Sequence, residues 1–91
     1  QRTLERVHFL FAKTKLLDRL RGRINVRQEK ALLRMFAEGP DGFRGGLSAA
    51  NYRTLTGAAT ATATRNLAEL VLLGALRKDG EFKHTRYRLR T

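Results

Sequence analysis

The chain has no cysteine and no tryptophan, a single proline (Pro40), a single serine (Ser48) and only eight acidic residues among 91. Without cysteine there are no disulfides, thiolate metal ligands or thiol nucleophiles, which fits an intracellular setting. The acids are scattered, and His8 and His84 stand at opposite ends of the chain. Paired carboxylates, a metal-ligand set and a Ser-His-Asp arrangement are therefore not expected, and neither catalytic nor metal-binding residues are assigned. The glycines of residues 41–46 lack the GxGxxG or Walker spacing, so no cofactor is expected either. No apolar run approaches the roughly 20 residues that cross a bilayer, and nothing resembles a signal peptide. With no initiator methionine and a helical pattern from its first residues, the sequence reads as a fragment of a longer cytoplasmic protein.

What the chain does have is positive charge. Nineteen Lys/Arg against eight Asp/Glu give a net +11, which suits a polyanionic partner. The charge is uneven. Residues 1–34 hold ten basic and three acidic residues, residues 35–74 three of each, and residues 75–91 six against two. The centre is neutral and both flanks are basic. Phosphate contacts from flanking elements around a base-reading centre would give such a distribution, and so would a solvated basic surface.

The neutral centre is the most patterned part. Ser48 can cap a short helix carrying Tyr52 and Leu55, which stops at Gly57. Thr60 sits where a second N-cap belongs, ahead of a helix whose Ala63, Leu67 and Leu70 define a buried stripe. Thr62, Arg65, Asn66 and Glu69 are expected on its other faces, and Gly74 ends it. Two helices joined by a short Gly-containing turn read as a helix-turn-helix, the second helix being the one laid in a DNA major groove. Ala75–Lys78 and His84–Arg90 then alternate with period two, joined through Asp79-Gly80. In the second strand Tyr87 and Leu89 face one way and Arg86, Arg88 and Arg90 the other. With Lys78 and Lys83 these arginines form the strongest local phosphate-binding candidate. The same charges would equally serve as guards of an exposed edge strand.

Upstream, Thr3–Arg21 is a long helical pattern without Gly or Pro, apolar on two sides. Val7, Leu10, Phe11 and Leu17 are expected against the rest of the domain. Phe9, Leu16 and Leu20 are expected to point away, toward a partner or a second copy of the chain. Gly22 to Ile24 breaks this helix. Asn25-Val26-Arg27-Gln28 is a capping box for a helix with Leu32, Met35 and Phe36 on one face, ending at Gly39-Pro40. Gly45-Gly46 reads as a turn into a short strand at Leu47, and Phe43 as a plug over the core.

Ile24–Leu33, Glu38–Ser48 with its Gly-Phe-x-Gly-Gly-Leu-Ser run at 42–48, Thr60–Leu76, and Thr85-Arg86-Tyr87-Arg88-Leu89 resemble the C-terminal region of bacterial Fic-family proteins (filamentation induced by cAMP). That resemblance implies a winged helix following a Fic catalytic domain, which transfers adenylyl groups from ATP to protein hydroxyls. The His-Pro-Phe…Gly-Asn-Gly-Arg motif of that activity does not occur here.

The expected architecture is thus mainly helical with a small antiparallel β wing: a leading helix over residues 1–22 and a winged helix-turn-helix over 23–91. The expected function is binding of double-stranded DNA, as a regulatory domain of a Fic-type protein that autoregulates transcription. Thr60, Thr62, Thr64, Arg65 and Asn66 would lie on the recognition helix, and Arg53, Lys78, Lys83, Arg86 and Arg88 would serve from the backbone side and wing. The competing expectation is a protein-interaction module that positions an upstream Fic domain or dimerises through residues 3–21.

Overall fold

The computed structural model describes residues 2–38, 43 and 45–90. Four helices come first: α1 (Arg2–Leu20), α2 (Val26–Ala37), α3 (Ala49–Thr56) and α4 (Thr60–Leu72). Two strands follow, β1 (Leu76–Asp79) and β2 (Arg86–Leu89), with a 3-10 turn over Phe82–His84 between them. A mainly helical domain with a small antiparallel wing behind a helix-turn-helix and a long leading helix is therefore what the chain folds into.

Local chemistry sets the boundaries. The Asn25 side chain accepts the Gln28 backbone N–H at 2.8 Å, while the Gln28 side chain accepts the N–H of Asn25 at 2.8 Å. Ser48 and Asn51 form a second reciprocal box at the start of α3. The α4 helix ends in a 6→1 and 5→2 pair of bonds, Ala75 N–H to Leu70 C=O and Gly74 N–H to Val71 C=O, with Gly74 left-handed at φ 76°. One cap differs from expectation. The N-cap of α4 is Ala59, with no side-chain cap bond, and Thr60 is the first helical residue. The Gly39-Pro40 stop lies outside the described residues.

The wing is antiparallel, pairing Leu76 with Leu89 and Asp79 with Arg86. Leu47 adds a third, one-residue rung: its N–H donates to Tyr87 C=O, and Tyr87 N–H donates back to Leu47 C=O, both at 2.8 Å. Gly46 is required for this approach, because a Cβ there would come within 3.0 Å of the Arg86 Cβ and 3.3 Å of the Tyr87 carbonyl. The wing is thereby tied to the chain just before α3.

The core gathers Leu20, Leu32, Met35, Leu47, Tyr52, Leu67, Leu70, Leu76 and Tyr87 from the four α-helices, the Leu47 rung and both strands. Phe43 packs at its edge, with the Arg34 guanidinium 5.9 Å above its ring. The leading helix joins this core by the face opposite to the one expected. Leu16 and Leu20 are buried and Phe9 stacks obliquely on Phe36 at 5.4 Å, whereas Val7, Leu10 and Phe11 are exposed together with Leu4. Arg19 fixes the choice. Its guanidinium donates to the Leu73 carbonyl at 2.6 Å and to that of Gly74 at 3.5 Å, the negative end of the α4 dipole. That contact goes with Leu16 and Leu20, three positions and one position away, facing inward.

Burial raises the hydroxyl pKa of both Tyr52 and Tyr87; for Tyr52 the Asn66 hydrogen bond and the Arg27 charge partly offset it. A raised folded-state pKa means that the native state holds its protons longer than the unfolded chain. Stability is then full below the unfolded value of 10.0 and drains as pH climbs through the folded values. Urea midpoints should hold steady up to about pH 9 and fall above 10, with a shallower fall in Tyr87→Phe.

Candidate nucleic-acid interface

The helical repeat of α4 sorts its residues. Ala63, Leu67 and Leu70 point inward, so Ala61, Thr64, Arg65, Ala68 and Leu72 share the outward face, and all five are exposed. The face is narrow in chemistry: two alanines, a threonine, one arginine and, at the far end, a leucine. Small residues beside a long cation let a helix axis approach a groove floor while the guanidinium reaches past it. Ala61 and Ala68 were not among the expected site residues. Ala61 lies in the Ala/Thr-rich run 58–64 and Ala68 seven residues on, beyond it, and that spacing is their only trace in the sequence.

Asn66 is not on that face. It is 3% exposed and forms the hub of a polar network: its Nδ2 donates to the Tyr52 hydroxyl at 2.9 Å, and its Oδ1 accepts from Asn25 Nδ2 at 3.2 Å. Gln28 Nε2 donates to the Asn66 carbonyl at 3.1 Å and to Glu69 Oε1 at 3.0 Å. Asn66 therefore locks the rotation of α4 against α2 and α3 and leaves the list of base-reading residues. Polarity misplaced it: a side chain that finds all its partners indoors looks like a surface residue in sequence.

Thr60 and Arg53 come together. Arg53 Nη1 donates to Thr60 Oγ1 at 3.1 Å across the turn, and both are exposed. Beside them the first-turn N–H groups of α4 lack a side-chain acceptor. A cation, a hydroxyl and an open helix N-terminus at one place match the needs of a phosphate oxygen. Thr64 is exposed but bonds back to the Thr60 carbonyl at 3.1 Å, and Thr62 is half-buried at the margin of the outward face.

On the wing, Lys78 and Lys83 are exposed. Arg86 is half-buried, donating to the carbonyls of Lys83 at 3.3 Å and Thr85 at 2.8 Å, so its guanidinium braces the turn. Arg88 is half-buried too and pairs with Asp79 at 3.1 Å, while Arg77 approaches the same carboxylate at 3.6 Å. The row of three free arginines expected on β2 is therefore partly neutralised, through a cross-strand partner nine residues away. Asp79→Asn should release Arg77 and Arg88 together. If this surface takes a duplex, that substitution should give several-fold tighter binding at low salt and a log–log salt slope steeper by about one.

Among the described residues no helix is long and apolar enough to cross a membrane. Comparison of the chain with protein-family models and with curated proteins finds no match.

Proposed function

We propose that this domain binds double-stranded DNA, with α4 in the major groove and the wing on the flanking backbone. The observation that carries this reading is the joining of Arg53 and Thr60 at the open N-terminus of α4, directly before the small-residue face that bears Arg65. Arg53 and Thr60 take phosphate, Arg65 reads a base edge with Thr64 beside it, and Lys78, Lys83 and Arg86 hold the backbone from the wing. The net charge of +11 supplies the long-range attraction. On the resemblance of residues 24–48, 60–76 and 85–89 to the C-terminal winged helix of Fic-family proteins, the setting is a bacterial, cytoplasmic Fic-type protein that regulates its own transcription. The test is titration of a fluorescent duplex at several salt concentrations. About 0.9 in slope is expected per phosphate neutralised, so the four cations placed on phosphate, Arg53, Lys78, Lys83 and Arg86, give a log–log slope of magnitude roughly 3 to 4. Failure to bind any duplex even at low salt would sink the proposal.

One observation favours a second reading. Leu4 and Phe11 of α1 are 56% and 66% exposed, with Val7 and Leu10 beside them, on the side opposite the core. An apolar stripe of this kind suits a protein partner, either an upstream Fic catalytic domain or a second copy of the chain. The stripe and the α4–wing surface lie on separate elements, so both can be occupied at once.

A further inference from the structure

Phe82 sits at the tip of the wing, 90% exposed, and its backbone is left-handed at φ 52°. Among the described residues it is the one non-glycine with positive φ, a conformation that bulky L-residues seldom adopt. The tip is built to hold it there. Gly80 is itself left-handed and lies so close to the His84 carbonyl that a Cβ would collide with it. The His84 N–H donates to Glu81 C=O at 2.9 Å, and Thr85 N–H donates to Phe82 C=O at 3.1 Å. Arg86 then clamps the returning strand through the Lys83 and Thr85 carbonyls. A braced turn thus presents an aromatic ring to water, while the apolar residues at the base of the wing, Leu76 and Tyr87, are buried in the core.

The ring stands among cations. Lys78, Lys83 and Arg86 line, with Phe82 itself, a shallow groove between the wing and the start of α3. Asp79 is occupied by Arg77 and Arg88, which leaves Glu81 as the acidic neighbour on the turn. A partner that fits must be anionic outside and apolar within reach. A DNA duplex has that construction, phosphates flanking a stack of aromatic bases. The three cations around the ring favour a partner whose rim is densely anionic, as the phosphates of a duplex are. We propose that Phe82 is a wedge: it enters the minor groove beside the major groove occupied by α4, opens one base step and bends the duplex. Proteins that bend DNA through the minor groove use phenylalanine in this way, and pyrimidine–purine steps yield most readily. The proposal rests on the DNA-binding reading above and adds to it the groove, the contact and the deformation.

The test compares wild type, Phe82→Ala and Phe82→Leu on a ~30-bp duplex carrying TA steps, with 2-aminopurine at those steps and a dye at each end. Phe82 is outside the core, so all three should show the same thermal midpoint. Wild type should raise 2-aminopurine emission and draw the dyes together. Phe82→Ala should bind roughly tenfold more weakly with an unchanged salt slope, and should lose both signals. Phe82→Leu, an apolar wedge of another shape, should keep most of both. If Phe82→Ala binds and deforms the duplex as wild type does, the wedge is overturned while the DNA reading stands. If wild type binds without either signal, the outcome is the same. If wild type binds no duplex, both fall together.

Discussion

Asn66→Ala should lower the stability of the domain by about 2–4 kcal/mol, a loss of roughly 10–25 °C in thermal midpoint for a chain of this size. The side chain is 3% exposed and donates to the Tyr52 hydroxyl, which is itself fully buried. Truncation removes that donor, leaves a small cavity against Tyr52 and strands the Asn25 amide. The Asn25 amide can turn to water, because Asn25 is exposed; the Tyr52 hydroxyl cannot, and that difference places most of the cost on Tyr52. Small domains have only about 5–15 kcal/mol in total, so this loss is a large fraction of the whole. Thermal unfolding by circular dichroism measures it. The control is Arg65→Ala on the same helix, one residue away but exposed, which should shift stability by no more than about 0.5 kcal/mol. A midpoint for Asn66→Ala within a few degrees of wild type would mean that the polar hub does not hold α4 in place.

Arg65→Ala should produce the converse: an unchanged fold and a large loss of binding. Arg65 is the one cation on the outward face of α4, between Ala61 and Ala68, where a side chain can reach a base edge. Losing a bidentate contact to a base costs about 1–3 kcal/mol, or roughly five- to 150-fold in affinity for the preferred sequence. Non-specific binding, held by the wing and by Arg53, should change far less. Lys78→Ala, at an exposed cation of the wing, should act the other way, weakening all duplexes alike and lowering the salt slope by up to about one. Competition titrations with a preferred duplex and a scrambled one separate the two effects. If Arg65→Ala and Lys78→Ala weaken both duplexes equally, α4 reads no bases.

Much of the fold was legible because it is written in local chemistry. The reciprocal box at Asn25/Gln28, the Ser48 cap, the left-handed stops at Gly57 and Gly74, and the alternation around Tyr87 and Leu89 each involve residues a few positions apart; the return bond between the Ser48 N–H and the Asn51 side chain was added by the structure. The misplaced residues depend on partners far along the chain. For α1, the set Phe9, Leu16, Leu20 and the set Val7, Leu10, Phe11, Leu17 are equally plausible helix faces by spacing, and in the structure Leu17 is half-buried while Val7, Leu10 and Phe11 are exposed. The hydrogen bonds of Arg19 to carbonyls 54 and 55 residues away turn the first set inward. Asn66 is drawn inside by a network that includes Asn25, 41 residues upstream. Thr60 resembled a cap because it follows two alanines at a helix start, yet its hydroxyl serves Arg53. Phe82 was missed for a different reason. A lone aromatic in a turn of charged residues carries no periodic signal, and its exposure follows only from the left-handed geometry of the tip.

The most direct measurement is a two-dimensional amide NMR titration of the domain with a short duplex. If α4 and the wing clasp DNA, shifts should concentrate at Arg53, at Thr60 to Arg65 and at Lys78 to Arg86, while Leu4 to Phe11 of α1 stay in place. Shifts confined to α1, or none at low salt, would contradict DNA binding by the α4–wing surface.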